Sequence, residues 1–325
     1  VWGEARQYET APGGGNSGRR QAKPAAAKPV RSGTDRRQTA CAVSEADARQ
    51  ATPVVAGQRE GLSLGIKDKD FDAKFDGSRW VVSWRWTAGE PARLQTHVSE
   101  YASTRAPRVR KKYEDEIERW ISERWLVKWD KPHKGIIPLL AVVQPTKDKV
   151  RPVMDYRELN AFVESHTGDD QTAVCAEKLR KWRTLGGELK LVDLKSAYLQ
   201  VHVSEDLWQY QVVKYKGQLY ALTRLGFGLT CAPRIMTMIL GKVLSLDPAV
   251  GRGTDHYIDD IIVQEPVVKA SRVREHLRRY GFVTKEPESL NGGRVLGIAL
   301  KEATSGKLMM SRGATPLDEV CPPSV

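Results

Sequence analysis

The sequence predicts an α+β domain in which helices and short strands interleave from about residue 108 onward. Three features carry that expectation. Leu189-Lys190-Leu191-Val192 reads as a buried strand. Tyr257 to Val263 reads as two strand halves about a polar break. Val267 to Tyr280 reads as a helix closed by Gly281.

Taken in chain order, residues 1–60 are rich in Gly, Ala, Pro, Arg and Gln, and Ala11 to Gly15 and Lys23 to Pro29 show no apolar period, so a disordered linker is expected there. Ser32-Gly33-Thr34-Asp35 lacks the order and apolar flanks of an aspartic-protease signature. Residues 61–107 form an upstream segment of unassigned role, with one alternating strand-like run, Trp80 to Trp86. A basic cluster, Arg108-Val109-Arg110-Lys111-Lys112, precedes a helical stretch over Tyr113 to Lys128, and Trp120, Trp125 and Trp129 read as core aromatics. Trp208 to Val213 and Leu219 to Leu222 read as a hairpin turning at Lys216-Gly217. Pro233 opens a helix through Ile235, Met238, Ile239 and Val243, because proline is tolerated in a first turn. A last hairpin joins Val295 to Leu300 with Lys307 to Met310, turning near Ser305-Gly306.

Composition narrows the function. At 325 residues the chain exceeds one average domain. A net charge of +12 and a pI of about 9.5 suggest a polyanionic partner, bound less tightly as salt rises. The four cysteines, at 41, 175, 231 and 321, have no metal-ligand spacing and no disulfide-rich density, which fits a reducing intracellular compartment. No apolar run approaches the roughly 18 residues that span a membrane, and no signal peptide is visible.

The chemistry is concentrated at Tyr257-Ile258-Asp259-Asp260. A hairpin here would carry two adjacent carboxylates on its tip, where they repel unless a cation neutralises them. By itself the pair reads first as an ordinary solvated acidic turn. Asp193 stands at the C-terminal end of the Leu189 strand, as a reactive group would, or as the N-cap of a following helix. Three aspartates at two strand ends offer the hard oxygen ligands that Mg²⁺ takes. Two such ions about 3.5–4 Å apart can clamp the attacking and leaving oxygens of a phosphoryl transfer.

Five motifs occur in one order: Arg151-Pro152-Val153-Met154-Asp155-Tyr156-Arg157-Glu158-Leu159-Asn160, Asp193 to Gln200, Leu225 to Pro233, Tyr257 to Asp260, and Arg294-Val295-Leu296-Gly297. Over about residues 108–303 the chain thereby resembles the reverse transcriptase domain of a retroelement Pol polyprotein, of long-terminal-repeat or tyrosine-recombinase type. The resemblance implies a right-hand polymerase fold with interleaved fingers and palm and a largely missing thumb, residues 304–325 being its truncated start or a tail. It implies an RNA-directed DNA polymerase that adds dNTPs to a DNA or RNA primer on an RNA template, in a cytoplasmic particle or the nucleus.

The resemblance also implies residue roles. Asp193, Asp259 and Asp260 would be the catalytic, metal-holding carboxylates for two Mg²⁺ ions, with Mn²⁺ as a substitute, and the Leu194 carbonyl an added ligand. Arg151 would grip the incoming triphosphate with its planar fork. Lys147 and Lys149 are candidates for a second phosphate contact, or a solvated basic turn. Asp155 and Arg157 read as structural or template contacts. Tyr198, five residues after Asp193, would stack under the sugar and exclude a 2′-hydroxyl; alone it reads as a core aromatic. It also disfavours an RNA-copying polymerase, in which a polar group stands there. Phe227 and Gly228 would line the nucleotide pocket, and Leu296 and Gly297 would form a primer grip. Two departures stand out: Gly226 replaces a common Pro, and Met236 or a neighbour replaces an aromatic in the next helix. The rival expectation is a truncated polymerase-derived module that binds nucleic acid without catalysis.

Overall fold

In the computed structural model the described residues are 64–312, apart from 97, 145–147, 167–169, 186–187, 297 and 303–307. The expected linker over 1–60 lies outside them, as does all of the expected tail except 308–312. The described elements belong to one unit, Arg59–Val325.

The upstream segment is more than one strand. β1 (Leu64–Lys67), β2 (Phe71–Phe75) and β3 (Trp80–Trp84) form an antiparallel meander. Alternation puts Phe71, Ala73, Phe75, Trp80, Val82 and Trp84 in the core. The β1–β2 turn is held by charge: Arg234 donates to both oxygens of Asp68, at 2.8 and 2.9 Å. Asp70 is fully buried and accepts the His166 amide at 2.7 Å.

The helix expected over 113–128 is displaced. α1 (Pro107–Ser122) takes in the basic run and buries Val109, Tyr113, Ile117 and Trp120 along one face. Its end is set by Arg124, at φ +55°. Leu126–Lys128 then forms β4. Sheet pairing outweighs helix propensity for that last turn, because Leu126 is buried opposite Leu222.

β5 (Leu139–Gln144) and β6 (Lys149–Met154) form a two-stranded ribbon, followed by α2 (Arg157–Asn160) and α3 (Asp170–Thr184). β7 (Leu189–Asp193) leads to a 3-10 turn over Ala197–Gln200 and to β8 (His202–Val203), which pairs in parallel with β3. That pairing builds the upstream meander into the same body as the motif-bearing elements. The hairpin expected over 208–222 begins late: Glu205–Tyr210 is a 3-10 helix, and the hairpin is β9 (Val212–Tyr215) with β10 (Gln218–Leu222). Lys216 and Gly217 turn it at φ +45° and +80°. Two left-handed residues match the twist of the flanking strands.

α4 (Ala232–Ser245) carries Pro233 in its first turn and α5 (Pro248–Gly253) follows. β11 (Thr254–Tyr257) and β12 (Asp260–Gln264) form the acidic hairpin. α6 (Ala270–Arg279) starts three residues later than expected, since Val267 and Val268 turn back onto the Gln264 carbonyl. Gly281 closes it at φ +83°. β13 (Glu288–Ser289) completes a sheet ordered β11-β12-β7-β13. α6 packs on β7 and β12 with α4 beside it, and Ile261, Ile262 and Val263 are wholly buried. β14 (Arg294–Val295), β15 (Ile298–Glu302) and β16 (Leu308–Arg312) form a separate antiparallel sheet. No described helix is long and apolar enough to cross a membrane.

Replacing Asp70 with Ala removes the buried acceptor of both the His166 amide and the His166 ring, while Arg234 keeps its two bonds to Asp68. We expect a loss of about 3 kcal/mol in a urea unfolding titration; a loss below about 0.5 kcal/mol would show that the turn does not depend on this carboxylate.

Candidate active site

Strand register assembles the site. β12 runs antiparallel to β7 with Asp260 directly opposite Asp193, the last residue of its strand. On the other side Tyr257 pairs with Asp260, so Ile258 and Asp259 are the two turn residues. Side chains alternate along a strand, so Asp193 and Asp260 share a sheet face with Leu189, Leu191 and Ile262.

Of the two adjacent aspartates only Asp259 therefore stands in the turn, and it is half-buried there. Asp260 lies within the ladder rather than in the turn, and both Asp259 and Asp260 are largely screened from water. Burial, followed by the charges of Asp259 and Asp193, pushes the Asp260 carboxyl up to about 7. The Asp259 carboxyl is raised by burial and by Asp193, against the lowering charges of Lys285 and Arg151. Asp193 is no N-cap either: Ser196 precedes the 3-10 turn, and the Asp193 carboxylate pairs with the Lys285 ammonium. Ile258 sits at φ +55°, a left-handed conformation that costs a β-branched residue roughly 1–3 kcal/mol. Its side chain packs against the main core, which offsets that strain.

Two nucleotide-pocket candidates, Tyr198 and Arg151, feel or exert charge at Asp259, and a third, Phe227, packs on Tyr198. The Tyr198 and Phe227 rings meet edge to face, with centroids 5.8 Å apart. The Tyr198 phenol is raised by burial and then by the charge of Asp259. Phe227 is 46% exposed, unusual for a phenylalanine, beside a buried Gly226 and an exposed Gly228. Arg151 projects from β6, opposite Val142, and its charge reaches Asp259. Leu194 is buried to 2% exposure, so only its backbone can face the site. Lys149 acts on Glu116 of α1, whereas Lys147 lies outside the described residues.

Leu296 turns the β14–β15 hairpin at φ +50°. It packs against a second apolar cluster that includes Leu189, Leu191 and Ile262, on the sheet face shared by Asp193 and Asp260. Gly297 lies outside the described residues.

The loop that carries Phe227 is held from below by the 151–160 motif. Asn160 donates to the Gly228 carbonyl at 2.9 Å and accepts the Thr230 amide at 3.0 Å. Gly228 needs its glycine for a φ of +108°. At Gly226 a Cβ would lie 2.0 Å from the Tyr156 hydroxyl, which explains why proline is absent there. Tyr156 is itself fixed, donating to Gln211 at 2.7 Å in the core. Asp155 and Arg157 pair with each other and with the Tyr101 hydroxyl.

Sequence reasoning missed Lys285, Tyr156 and Gln211 as parts of the site. Tyr156 lay within a quoted motif; for Lys285 and Gln211 no spacing signal exists. Among the described residues no three carboxylate, imidazole or thiol side chains close on one point as a metal cage. The donor chemistry nonetheless fits a hard divalent cation: three carboxylates at adjacent strand ends, two of them destabilised as anions where they stand.

Gly226→Ala should cost about 2–3 kcal/mol in denaturant unfolding through the Tyr156 clash; a neutral result would mean that the ring moves aside freely. The Asp260 carboxyl gives a second expectation. In the native state it holds a proton up to about pH 7, whereas unfolded it ionises near pH 4. Its contribution to stability is thus present at low pH and lost as pH rises from about 4 to 7. In EDTA, Asp260→Asn should gain on the order of 4 kcal/mol relative to the parent between pH 4 and pH 8. An unchanged difference across that range would refute the shift.

No family model matches this chain, and no curated protein does. Solved structures do match in fold. The prototype foamy virus protease–reverse transcriptase is similar at 19% identity and a TM-score of 0.52, over 70% of this chain and 29% of that one. The foamy viral protease–reverse transcriptase in complex with dsDNA gives 19% identity and a TM-score of 0.54, over 69% of this chain and 44% of that one. The same protein in complex with an RNA/DNA hybrid gives 19% and 0.52, over 66% and 28%. The chain thus spans less than half the length of these neighbours. Its fold is reverse transcriptase-like.

Proposed function

We propose that this chain is the RNA-directed DNA polymerase core of a retroelement, of long-terminal-repeat or tyrosine-recombinase type, working in a cytoplasmic particle or the nucleus. It extends a DNA or RNA primer on an RNA template with dNTPs. The observation that carries this reading is the β7–β12 register, which sets Asp193 opposite Asp260 with Asp259 in the adjoining turn. The strand ribbon bearing Arg151 belongs to the fingers, and the sheet bearing the aspartates to the palm.

Asp193, Asp259 and Asp260 would hold two Mg²⁺ ions, which activate the primer hydroxyl and neutralise phosphate charge when bound. The chain's own groups do the positioning. Arg151 takes triphosphate oxygens bidentately from the Asp259 side. Tyr198, braced by Phe227, presents a rigid ring beneath the sugar and leaves no room for a 2′-hydroxyl. Phe227 offers its exposed ring to the nucleobase, and Gly228 lets backbone approach it. Such a reaction draws its rate from orientation and charge more than from proton transfer by side chains.

Primer extension with labelled dNTPs on an RNA template tests this. Asp259→Asn should cut synthesis by about 10²–10³-fold or more while primer–template binding persists. Equal synthesis by the variant would remove Asp259 from the chemistry. Binding without synthesis by the parent would favour an inactive polymerase-derived module.

A further inference from the structure

Lys285 was outside every motif, yet the structure puts its ammonium on the Asp193 carboxylate. The placement does not depend on the side chain alone. The Lys285 amide donates to the Asp193 carbonyl at 2.8 Å, and the Lys195 amide donates to the Val283 carbonyl at 3.0 Å. Gln200 clamps the same strip, accepting the Val283 amide at 2.6 Å and donating to the Val283 carbonyl at 2.9 Å. Main-chain bonds thus deliver the lysine to the end of β7, and its tether is short. Its charge also acts on the other two aspartates, lowering both carboxyls against burial and mutual repulsion.

Lys285 is therefore the resident cation of a three-carboxylate corner. Both partners stay partly open to water, the lysine 50% and the aspartate 30% exposed, so the pair is exchangeable rather than locked. Among the described residues the three carboxylates do not close on one point. A divalent cation competes for the same oxygens and is repelled by the ammonium it meets.

We propose that Lys285 is a positioning residue that holds Asp193 in place of a divalent metal ion and sets the metal affinity of the site, so that metal entry requires its release. This rests on the metal-binding reading of the three aspartates. The lysine keeps the corner charge-balanced without metal and leaves it when the stronger cation arrives.

Mn²⁺ binding to the full chain, read by electron paramagnetic resonance of free Mn²⁺ without nucleic acid or nucleotide, tests it. Lys285→Met should bind Mn²⁺ roughly three- to tenfold more tightly than the parent. Lys285→Arg, which restores a cation, should return affinity to the parental value or below. The main-chain bonds survive either change, and a thermal melt verifies folding; Lys285→Gln serves if the Met variant is unstable. Affinity that is equal or weaker in the folded Met and Gln variants overturns the proposal while leaving the metal site standing. Mn²⁺ binding unaltered by Asp193→Asn and Asp259→Asn, or absent from every variant, would instead overturn the metal-site reading beneath it.

Discussion

The backbone pairing of β7 with β12 forces like charges together in a partly dry corner, and the rest of the site answers that constraint. Hydrogen bonding fixes Asp260 opposite Asp193 whatever their charges, and the apolar residues Val192, Ile261 and Ile262 make the pairing worth keeping. The repulsion so created raises two carboxyls and draws in Lys285 and Arg151. A site that is electrostatically costly in isolation is one that gains from binding cations. Strain at Ile258 belongs to the same arrangement, since it shares with Asp259 the two-residue turn between β11 and β12.

Around this corner the fold uses rigid aromatics instead of flexible side chains. Tyr198 and Phe227 brace each other, and Phe227 rides on a loop seated on Tyr156. Tyr156 bonds to Gln211, which donates in turn to the Leu222 and Arg224 carbonyls just ahead of that loop. The motif at 151–160 thus shapes the loop at 225–231 through packing and two Asn160 bonds. Segments far apart in the chain set the pocket jointly, so a substitution in one is felt in the other.

The upstream meander has a comparable structural part. Its third strand joins β8, which follows directly on the turn holding Tyr198, and Asp68 and Asp70 reach Arg234 on α4. Gly281, which ends α6, lies against the backbone of Ser78 and leaves no room for a Cβ. The segment thereby buttresses the helix and the 3-10 turn from behind. One alternating run, Trp80 to Trp86, read as a strand; its second partner, β8, was beyond reach, because a parallel pairing across more than a hundred residues leaves no local mark.

By itself the sequence determined the parts whose physics is local. Runs of apolar strand formers marked β7 and β12, Lys216-Gly217 marked a hairpin turn, Pro233 and Gly281 marked helix ends, and the Asp259-Asp260 pair marked a corner rich in charge. Tertiary structure decided what depends on partners remote in the chain. It ended α1 at Ser122 by giving Leu126 a place in a sheet, moved Asp260 from the turn into the ladder, required glycine at 226 for the sake of Tyr156, and put Lys285 on Asp193. Local patterns record what a residue does to its own backbone; the identity of a neighbour across the core is written only in the packed chain.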